Sequence, residues 1–519
     1  MVAAAQSARP ASEVELKLEF SAADLGRLVA HPALQSCLVP PQERDLVSTY
    51  FDTPDCTLHK AGVYLRLRAS GGRVVQTIKA AKSAAELLER YEWEHELTGR
   101  SPDLGAAKGT ALEKLLTPEV CVSLQPAFET RVARRIHRIA RDGSELEVAI
   151  DRGEINTKTH SCPICELELE LKQGAIRELF RLACILAKDV PLRLEVKTKA
   201  ERGYELLAGR RLMEQRATPV QIAPGMPAGE AFRAIALSCI RQIVANEPAM
   251  CAGKAEALHQ MRIGLRRLRG AIALFAEIVG DDKLKMLKSE LKWITRELGP
   301  ARELDVFAAD VLAPLRKVQS EQARFASAQD AFEEKRAAAY GKAAAAIQSG
   351  RFRAAILDVV EWVETRAWTE AAEHVAARAQ DVAQHATVKL AKLRRKIKRK
   401  GAELRHLSVA QRHRLRITAK RLRYATEFFA ATFPGEGRAK RRTDSLSALK
   451  DLQDALGGLN DLATHRALIA GHTEERTRDG EHTISIAHFA PAQVDEEALM
   501  RKAEQAYARF AGSKAFWKG

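Results

Sequence analysis

Aromatic side chains are scarce in this chain of 519 residues, and long apolar runs are absent. Phe, Trp and Tyr make up 5% of the residues, which argues weakly against single-stranded nucleic acid as a partner, because bases need aromatic surfaces to stack on. No run of about 18 uninterrupted apolar residues occurs, and residues 1–12 contain no apolar core, so the sequence predicts neither a membrane span nor a signal peptide. We therefore expect no membrane partner and a location in the cytoplasm.

Cysteine is also infrequent, with eight residues that all lie at or before Cys251. Cys162 and Cys165 form a single Cys-x-x-Cys pair, whereas a structural zinc site normally needs a second pair of ligands. We therefore expect free thiols in a reducing compartment.

Positive charge is the feature the chain has in excess. Lys and Arg number 83 against 67 Asp and Glu, and the formal net charge is +16. The partner is thus expected to be an anion, and charge alone leaves nucleic acid, an acidic membrane surface and polyphosphate open. A chain of this length also exceeds one ordinary core, so we expect two or more domains.

Between Glu13 and Gly203, short stretches alternate charged and aliphatic side chains, which is the pattern of β-strands. In the first stretch the alternation puts Glu13, Glu15 and Lys17 on one face. Two carboxylates suit Mg²⁺ or Mn²⁺, and a neighbouring lysine can hold an anion that the same ion binds. The other alternating runs are residues 63–68, 74–79, 90–96, 128–135, 145–151, 166–172 and 192–199.

Strands of this kind suit a closed barrel with a charged lumen and with helices covering its outer face. The alternative is an ordinary meander, in which every charged face must point into water. The recurrence of the pattern favours the barrel.

Five motifs, in this order, resemble the CYTH domain of the triphosphate tunnel metalloenzymes. They are Glu13-x-Glu15-x-Lys17, Tyr50-Phe-Asp-Thr-Pro54, Leu65-Arg-Leu-Arg68, Glu166-Leu-Glu-Leu-Glu-Leu-Lys172 and Lys199-Ala-Glu-Arg-Gly-Tyr204. The resemblance implies an α+β fold over residues 10–207, in which eight antiparallel strands form a tunnel with flanking helices. It also implies that the tunnel binds a divalent metal, Mg²⁺ or Mn²⁺, and an inorganic triphosphate.

Carried onto this sequence, the resemblance also implies roles for individual residues. The implied catalytic residues are Glu13, Glu15, Lys17 and Glu168. The implied metal ligands are Glu13, Glu15, Glu92, Glu94, Glu166 and Glu168. The implied substrate-binding residues are Lys17, Arg66, Arg68, Lys79, Arg134 and Lys199. A one-residue shift of its strand would exchange Arg134 for Arg131 or Arg135; Glu170 and Asp151 are further acidic candidates.

Residues 208–228 read as a linker, and the sequence beyond them has the 3.6-residue periodicity of helices. The pattern predicts helices at Phe232–Asn246 and Leu284–Leu298. A motif that begins at His259 recurs 154 residues later at His413. We therefore predict an all-α domain over residues 229–517, built from two pseudo-symmetric helical-bundle repeats at about 229–385 and 386–517.

At 100° per residue, the basic side chains of each motif fall on one helix face. Two solvated faces are the alternative, but like charges three and four residues apart repel, and such rows are tolerated best when an anion neutralises them. The pattern thus favours anion binding by His259, Arg262, Arg266, Arg269, His413, Arg416, Lys420 and Arg423.

The duplicated motif, with Arg423-Tyr424 and Gln453-Asp-Ala-Leu-Gly457, resembles the CHAD domain. This resemblance implies binding of inorganic polyphosphate by the basic residues, and association with polyphosphate granules would follow from it. Together the two resemblances imply metal-dependent hydrolysis of tripolyphosphate to diphosphate and phosphate. The alternatives are a polyphosphate-binding protein without catalysis and another triphosphate-processing tunnel enzyme, of the adenylyl cyclase or thiamine triphosphatase type.

Overall fold

In the computed structural model the chain folds into two compact units. The first comprises Met1–Thr218, Ile240–Met261 and Ala346–Ala367. The rest of the chain forms the second unit. Two segments of the predicted helical domain therefore pack within the first unit, and the predicted domain boundaries remain a prediction. The structure describes residues 11–35, 37–81, 87–210, 212–309, 322–366, 368, 374–474 and 496–518.

The first unit is built around an antiparallel β-sheet. Its strands are β1 (Ala11–Glu19), β2 (Cys37–Asp52), β3 (Val63–Ser70), β4 (Arg73–Ala81), β5 (Glu89–Leu97), β6 (Gln125–Arg141), β7 (Ser144–Asn156), β8 (Ser161–Gln173) and β9 (Arg193–Leu194). Its helices up to residue 207 are α1 (Leu25–Val29), α2 (Thr57–Lys60), α3 (Pro118–Ser123), α4 (Arg177–Asp189) and α5 (Lys199–Leu207).

Eight of these strands close into a barrel, as predicted. Around the ring the order is β1, β5, β4, β3, β2, β6, β7 and β8, and β8 returns to β1. Ser12 pairs with Tyr91 on one side of β1, and Lys17 pairs with Glu168 on the other side. The short β9 pairs with β1 beyond the end of β5. Gly71 and Gly72 form the two-residue turn between β3 and β4, and both glycines have positive φ, as a type I′ turn requires.

The alternation in the sequence corresponds to the two faces of the barrel. The aliphatic parity faces outward and is buried, since Leu16, Leu18, Leu167 and Leu169 have no exposed surface. An amphipathic helix, α4, lies next to β8 and buries its own apolar face. The charged parity faces the lumen, because residues paired across antiparallel strands share a face. The predicted combination of a charged interior with a covered exterior is therefore confirmed.

One predicted strand is wrong. Residues 192–199 alternate in sequence, but only Arg193–Leu194 forms a strand, and Lys199 begins α5 instead. Thr198 ends the extended segment because its side chain and that of Glu201 form a capping box at the helix start. The first turn of α5 thus carries Lys199 to the barrel.

From residue 228 onward the described chain is helical, as predicted. The helices predicted at Phe232–Asn246 and Leu284–Leu298 are present, at Ala228–Val244 and Lys283–Glu297. The helices are α6 (Ala228–Val244), α7 (Glu247–Cys251), α8 (Ala255–Leu274), α9 (Lys283–Glu297), α10 (Gly299–Phe307), α11 (Gln322–Ile347), α12 (Gly350–Glu364), α13 (Val375–Ala379), α14 (Val382–Gly401), α15 (Val409–Phe428), α16 (Glu436–Glu474) and α17 (Glu496–Gly512).

The core of the second unit contains a cluster of aromatic rings. The ring of Phe232 lies 5.5 Å from that of Phe275 and 5.2 Å from that of Trp368, and His385 stacks on Phe275 at 4.6 Å. The pseudo-symmetry of the two predicted repeats remains a prediction. All eight cysteines are free thiols, as expected. Among the described residues, no helix combines the length and apolarity needed to cross a membrane.

Candidate metal and phosphate site

Three carboxylates meet inside the barrel on the neighbouring strands β7 and β8. Asp151 pairs with Glu166 across the two strands, and Glu168 lies one pleat further along β8. One oxygen of each residue lies within 4.8 Å of the others. Asp151 and Glu166 have no exposed surface, and Glu168 is 9% exposed. These hard oxygen donors at this spacing fit the preferences of Mg²⁺ and Mn²⁺.

Two cationic side chains from α5 contact these carboxylates. The ammonium of Lys199 lies 2.8 Å from Asp151, 2.5 Å from Glu166 and 2.8 Å from Glu168. The guanidinium of Arg202 donates to the other oxygen of Glu166 at 2.5 Å. The helix thus provides two of the charges that a phosphate chain would need.

Two further cations reach the carboxylates from strands. Arg134 donates to both oxygens of Asp151, at 2.7 and 2.6 Å, and also to Glu168. Lys17 donates to Glu168 at 3.1 Å and pairs with Glu15. The four cations and three carboxylates therefore form one buried network.

In this network, attraction between opposite charges changes the pKa values more than burial does. Burial alone would raise the pKa of Glu168, but Lys17, Lys199 and Arg134 hold it well below its usual value. The pKa of Asp151 is likewise lowered by Lys199 and Arg134 against the effect of burial. Burial would lower the pKa of Lys199, but Asp151, Glu166 and Glu168 raise it well above its ordinary value. These groups are therefore ionised at neutral pH.

A second group of charges lies where β4, β5 and β1 meet. Lys79 contacts Glu92 at 2.6 Å and Glu13 at 3.5 Å, while Arg66 lies 3.5 Å from Glu92 and donates to Thr77 at 3.1 Å. Burial and a hydrogen bond to Glu92 raise the pKa of Glu13 to about 7. The pKa of Glu92 shifts downward, because Lys79 and the bond to Glu13 outweigh the effect of burial. Near pH 7 Glu13 is therefore about half protonated, whereas Glu92 is ionised.

Arg68 is the least neutralised cation of the lumen. Its Nε donates to Ser48 at 3.3 Å, and it makes no ion pair with any residue that the structure describes. Burial and the nearby charges of Arg66 and Arg134 lower its pKa to about 10. At a half-buried arginine without a carboxylate partner, a bound anion would offset the electrostatic cost of burying the charge.

The predicted site residues thus separate into groups. Glu166, Glu168, Lys17, Arg134 and Lys199 lie in one network, with Asp151. Glu13, Glu92, Lys79 and Arg66 lie in the second, whereas Glu94 is exposed and accepts a 3.4 Å bond from Thr77. The metal and substrate roles of all these residues remain predictions. Arg131 and Arg135 pair with Glu129 and Glu43 outside the lumen, so the register places Arg134 inside.

Sequence reasoning missed Arg202 as a site residue and gave Asp151 little weight. The alternating pattern predicts a strand that ends at Lys199, and it gives no orientation for Arg202. In the helix that the structure contains, Arg202 lies three residues after Lys199 and therefore on the same face. The packing of α5 against the barrel fixes its position. A Cβ on Gly203 would lie 2.2 Å from the ring of Phe128, and the Tyr204 hydroxyl donates to buried Asp52 at 2.8 Å.

The predicted polyphosphate-binding residues lie on α8 and α15. On α8, Arg262 donates to the carbonyl of Thr295 at 2.9 Å and lies 3.8 Å from the position of a Cβ on Gly299. On α15, Arg416 lies 3.2 Å from the position of a Cβ on Gly457. The corresponding arginines of the two motifs therefore each contact the glycine of a downstream Leu-Gly pair. His413 contacts Asn460 at 3.1 Å, and Arg423 lies 3.8 Å from Glu427.

Positive charges repel one another in this region. Burial and neighbouring Arg266 lower the pKa of Arg262 to about 10, and burial and Arg421 lower that of Arg269. α8 and α15 lie close together, since Arg267 of α8 pairs with Glu427 of α15 at 3.2 Å. Four arginines make no hydrogen bond or ion pair with any described residue: Arg266, Arg269, Arg416 and Arg421.

Two family models match consecutive parts of this chain. The model of the CYTH domain matches residues 11–204, and the model of the CHAD domain matches residues 234–470. The inorganic triphosphatase of Haemophilus influenzae is 30% identical over 196 residues, which cover 37% of this chain and 54% of that protein. The chain thus spans about half the length of the curated relative it matches.

Solved structures resemble each part of the chain. The CHAD domain from the plant Ricinus communis is 27% identical, with a TM-score of 0.44, and the match covers 57% of this chain and 91% of that one. A proposed adenylyl cyclase from Hippeastrum with a dominant triphosphatase activity is 16% identical, with a TM-score of 0.28. That match covers 37% of this chain and 95% of the Hippeastrum chain.

Proposed function

Since this chain consists of a CYTH domain followed by a CHAD domain, we propose that its barrel hydrolyses inorganic triphosphate with the help of a divalent metal. The observation that carries the proposal is the buried network of three carboxylates and four cations, with the carboxylate oxygens within 4.8 Å of one another. Its members can hold a metal and a polyanion side by side. The relative from Haemophilus influenzae is an inorganic triphosphatase, which supports the same chemistry.

In this proposal the side chains of the barrel bind and orient the phosphate chain. Asp151, Glu166 and Glu168 would hold Mg²⁺ or Mn²⁺, and the bound ion would supply Lewis-acid polarisation of a phosphoryl oxygen and part of the charge neutralisation. Arg68, which lacks a carboxylate partner, would bind phosphate oxygens directly. Lys199 would exchange carboxylate contacts for phosphate contacts as the substrate enters.

Water attacks the terminal phosphorus, and tripolyphosphate separates into diphosphate and phosphate. Phosphoryl transfer asks of the protein mainly positioning and electrostatic stabilisation, and the fixed cations of the lumen would supply both. The roles of Glu13, Glu15 and Lys17 in this step are part of the proposal.

The test measures phosphate release and identifies the other products from tripolyphosphate, ATP, thiamine triphosphate and long-chain polyphosphate, with Mg²⁺ or Mn²⁺, for the wild type and for Glu168→Gln. We expect metal-dependent release from tripolyphosphate, and about a 10²–10³-fold loss in the variant because Glu168 orients three cations. Glu154→Gln is the matched control, since Glu154 lies on the exposed outer face of β7. No release from any substrate, with polyphosphate still bound, would leave a non-catalytic binding protein. Preference for ATP with a cyclic product would favour the cyclase alternative, and a preference for thiamine triphosphate as substrate would favour a thiamine triphosphatase.

We further propose that the helical domain binds inorganic polyphosphate. The supporting observation is the group of arginines on α8 and α15 that make no ion pair within the described chain, because an unneutralised row of cations is relieved by a polyanion. Binding there would hold the protein at polyphosphate granules of the cytoplasm, which fluorescence microscopy of a tagged chain can test.

Calorimetric titration with long-chain polyphosphate tests the binding surface. Combined replacement of Arg266, Arg269 and Arg421 by Gln is expected to weaken binding at least tenfold, because each removes a charge that contacts phosphate. Arg509→Gln is the control, since it removes an equal kind of charge that already pairs with Asp451 at 2.9 Å. Equal affinity of the triple variant and the wild type would exclude this surface.

A further inference from the structure

Helix α5 is held at its first turn by an arginine from a distant part of the sequence. Arg241, near the end of α6, donates to the carbonyl of Val196 at 2.7 Å and to one carboxylate oxygen of Glu201. Both α5 and Arg241 belong to the first compact unit, although residue 241 lies within the part of the chain that the CHAD model matches. The contact therefore links two stretches that the sequence assigns to different domains.

The bond to Glu201 acts on the start of the helix. The second carboxylate oxygen of Glu201 accepts from the amide of Thr198 at 2.8 Å, and the hydroxyl of Thr198 accepts from the amide of Glu201 at 3.0 Å. This capping box fixes the first turn of α5. Arg241 binds the remaining carboxylate oxygen of Glu201 and therefore restrains the orientation of this capping side chain.

The C-terminal end of α5 is also restrained, by Asn246, which lies close to Arg241 in the sequence. Asn246 has no exposed surface and exchanges two hydrogen bonds with the backbone of Gln215, at 2.9 and 2.8 Å. The side chain of Gln215 donates to Glu205 of α5 at 3.0 Å. Residues 241 and 246 therefore hold α5 at both ends.

The restrained helix is the one that carries cations into the carboxylate network. Lys199 is in its first turn and contacts all three carboxylates, and Arg202 follows in the next turn. A displacement of about 1 Å at such contacts can lower activity by about 10²-fold. Arg241 touches none of the three carboxylates, so any effect on the site must pass through α5.

We propose that Arg241 is a positioning residue for the candidate site, holding the first turn of α5 so that Lys199 and Arg202 meet the bound triphosphate. The identification of the ligand as triphosphate rests on the proposed function. The restraint itself rests on the contacts of Arg241, Glu201 and Thr198. The helical part of the sequence thereby contributes to the geometry of the barrel site.

The test compares Arg241→Ala with Arg27→Ala in the full chain. Arg27 is a matched control, because its guanidinium also pairs with a carboxylate, Asp24, and a backbone carbonyl, Asp189, within the first unit but away from α5. Hydrogen exchange of the amides of residues 199–207 and the kinetics of tripolyphosphate hydrolysis are measured for both. For Arg241→Ala we expect exchange at least tenfold faster in α5, and about a tenfold rise in KM with kcat changed less than about threefold.

Arg241→Lys keeps the charge with fewer donors and is expected to give intermediate values, which also covers the case in which the alanine variant does not fold. Equal exchange in α5 and equal KM for the Arg241 and Arg27 variants would overturn the inference. If the wild type releases no phosphate, the proposed function fails, and the exchange rates of α5 still decide whether Arg241 positions the helix.

Discussion

The barrel lumen and the basic faces of α8 and α15 are both rich in cations, but they neutralise them differently. In the lumen, Lys17, Arg134 and Lys199 each contact at least one carboxylate. On the helices, Arg266 and Arg421 make no ion pair with a described residue. A ligand that binds these three lumen cations must therefore replace their existing partners, whereas a ligand on the helices meets charges that repel one another.

The difference implies two kinds of recognition. A lumen of matched charges is preorganised and favours a ligand that replaces each contact, which gives selectivity for a short triphosphate with metal. A surface of unmatched charges attracts any flexible polyanion in proportion to its charge. We therefore expect removal of a cation to destabilise the barrel strongly and to change the stability of the helices little.

The largest expected effect is on stability. Lys199→Met leaves three buried carboxylates with one cation fewer, and we expect it to lower the free energy of unfolding of the barrel by about 3–5 kcal/mol. Arg266→Gln relieves repulsion with Arg262 and should change stability by less than about 0.5 kcal/mol. Hydrogen exchange measured separately for strand and helix amides gives both values. Similar losses of unfolding free energy in the two variants would show that the two regions do not differ in how their cations are neutralised.

The faces of the barrel strands could be predicted from the sequence because alternation is a local property. The parity of Glu13, Glu15 and Lys17 in β1 follows from the strand period alone. Which parity of the strand around Arg134 faces inward does not, because it depends on the register. Which charges from different strands meet depends on register and on barrel closure, which are long-range. For that reason the approach of Asp151 to Glu166 and Glu168 was not evident.

The position of Lys199 could have been predicted better. The run at residues 192–199 alternates, but Thr198-x-x-Glu201 is a capping-box signature, and it marks the helix start that the structure contains. With α5 assigned, Arg202 falls on the same face as Lys199. By contrast, no local pattern indicates that Arg241 contacts Glu201, because that contact joins residues 40 apart through tertiary packing.

The second-largest expected difference between the two regions is the dependence of ligand binding on salt concentration. With about four unpaired arginines in contact with phosphate, the affinity for long-chain polyphosphate should fall about fiftyfold between 50 and 200 mM salt, by the relation known for single-stranded polyanions. The KM for tripolyphosphate should rise less than about fivefold, because buried charges are screened less. Calorimetry and steady-state kinetics over the same salt series measure the two slopes. Parallel slopes would mean that both ligands bind exposed charges.

The smallest expected effect concerns the proton of Glu13. Its pKa is raised to about 7 by burial and by the hydrogen bond to Glu92, so below that pH the carboxyl is protonated and cannot coordinate a cation. If Glu13 is a metal ligand, the affinity for Mg²⁺ should therefore rise about tenfold from pH 6 to pH 8, with release of one proton. Calorimetry at these two pH values measures the affinity. Glu13→Gln should abolish the rise, and Glu154→Gln, on the exposed outer face of β7, should retain it. A rise that persists in Glu13→Gln would assign the proton to another group.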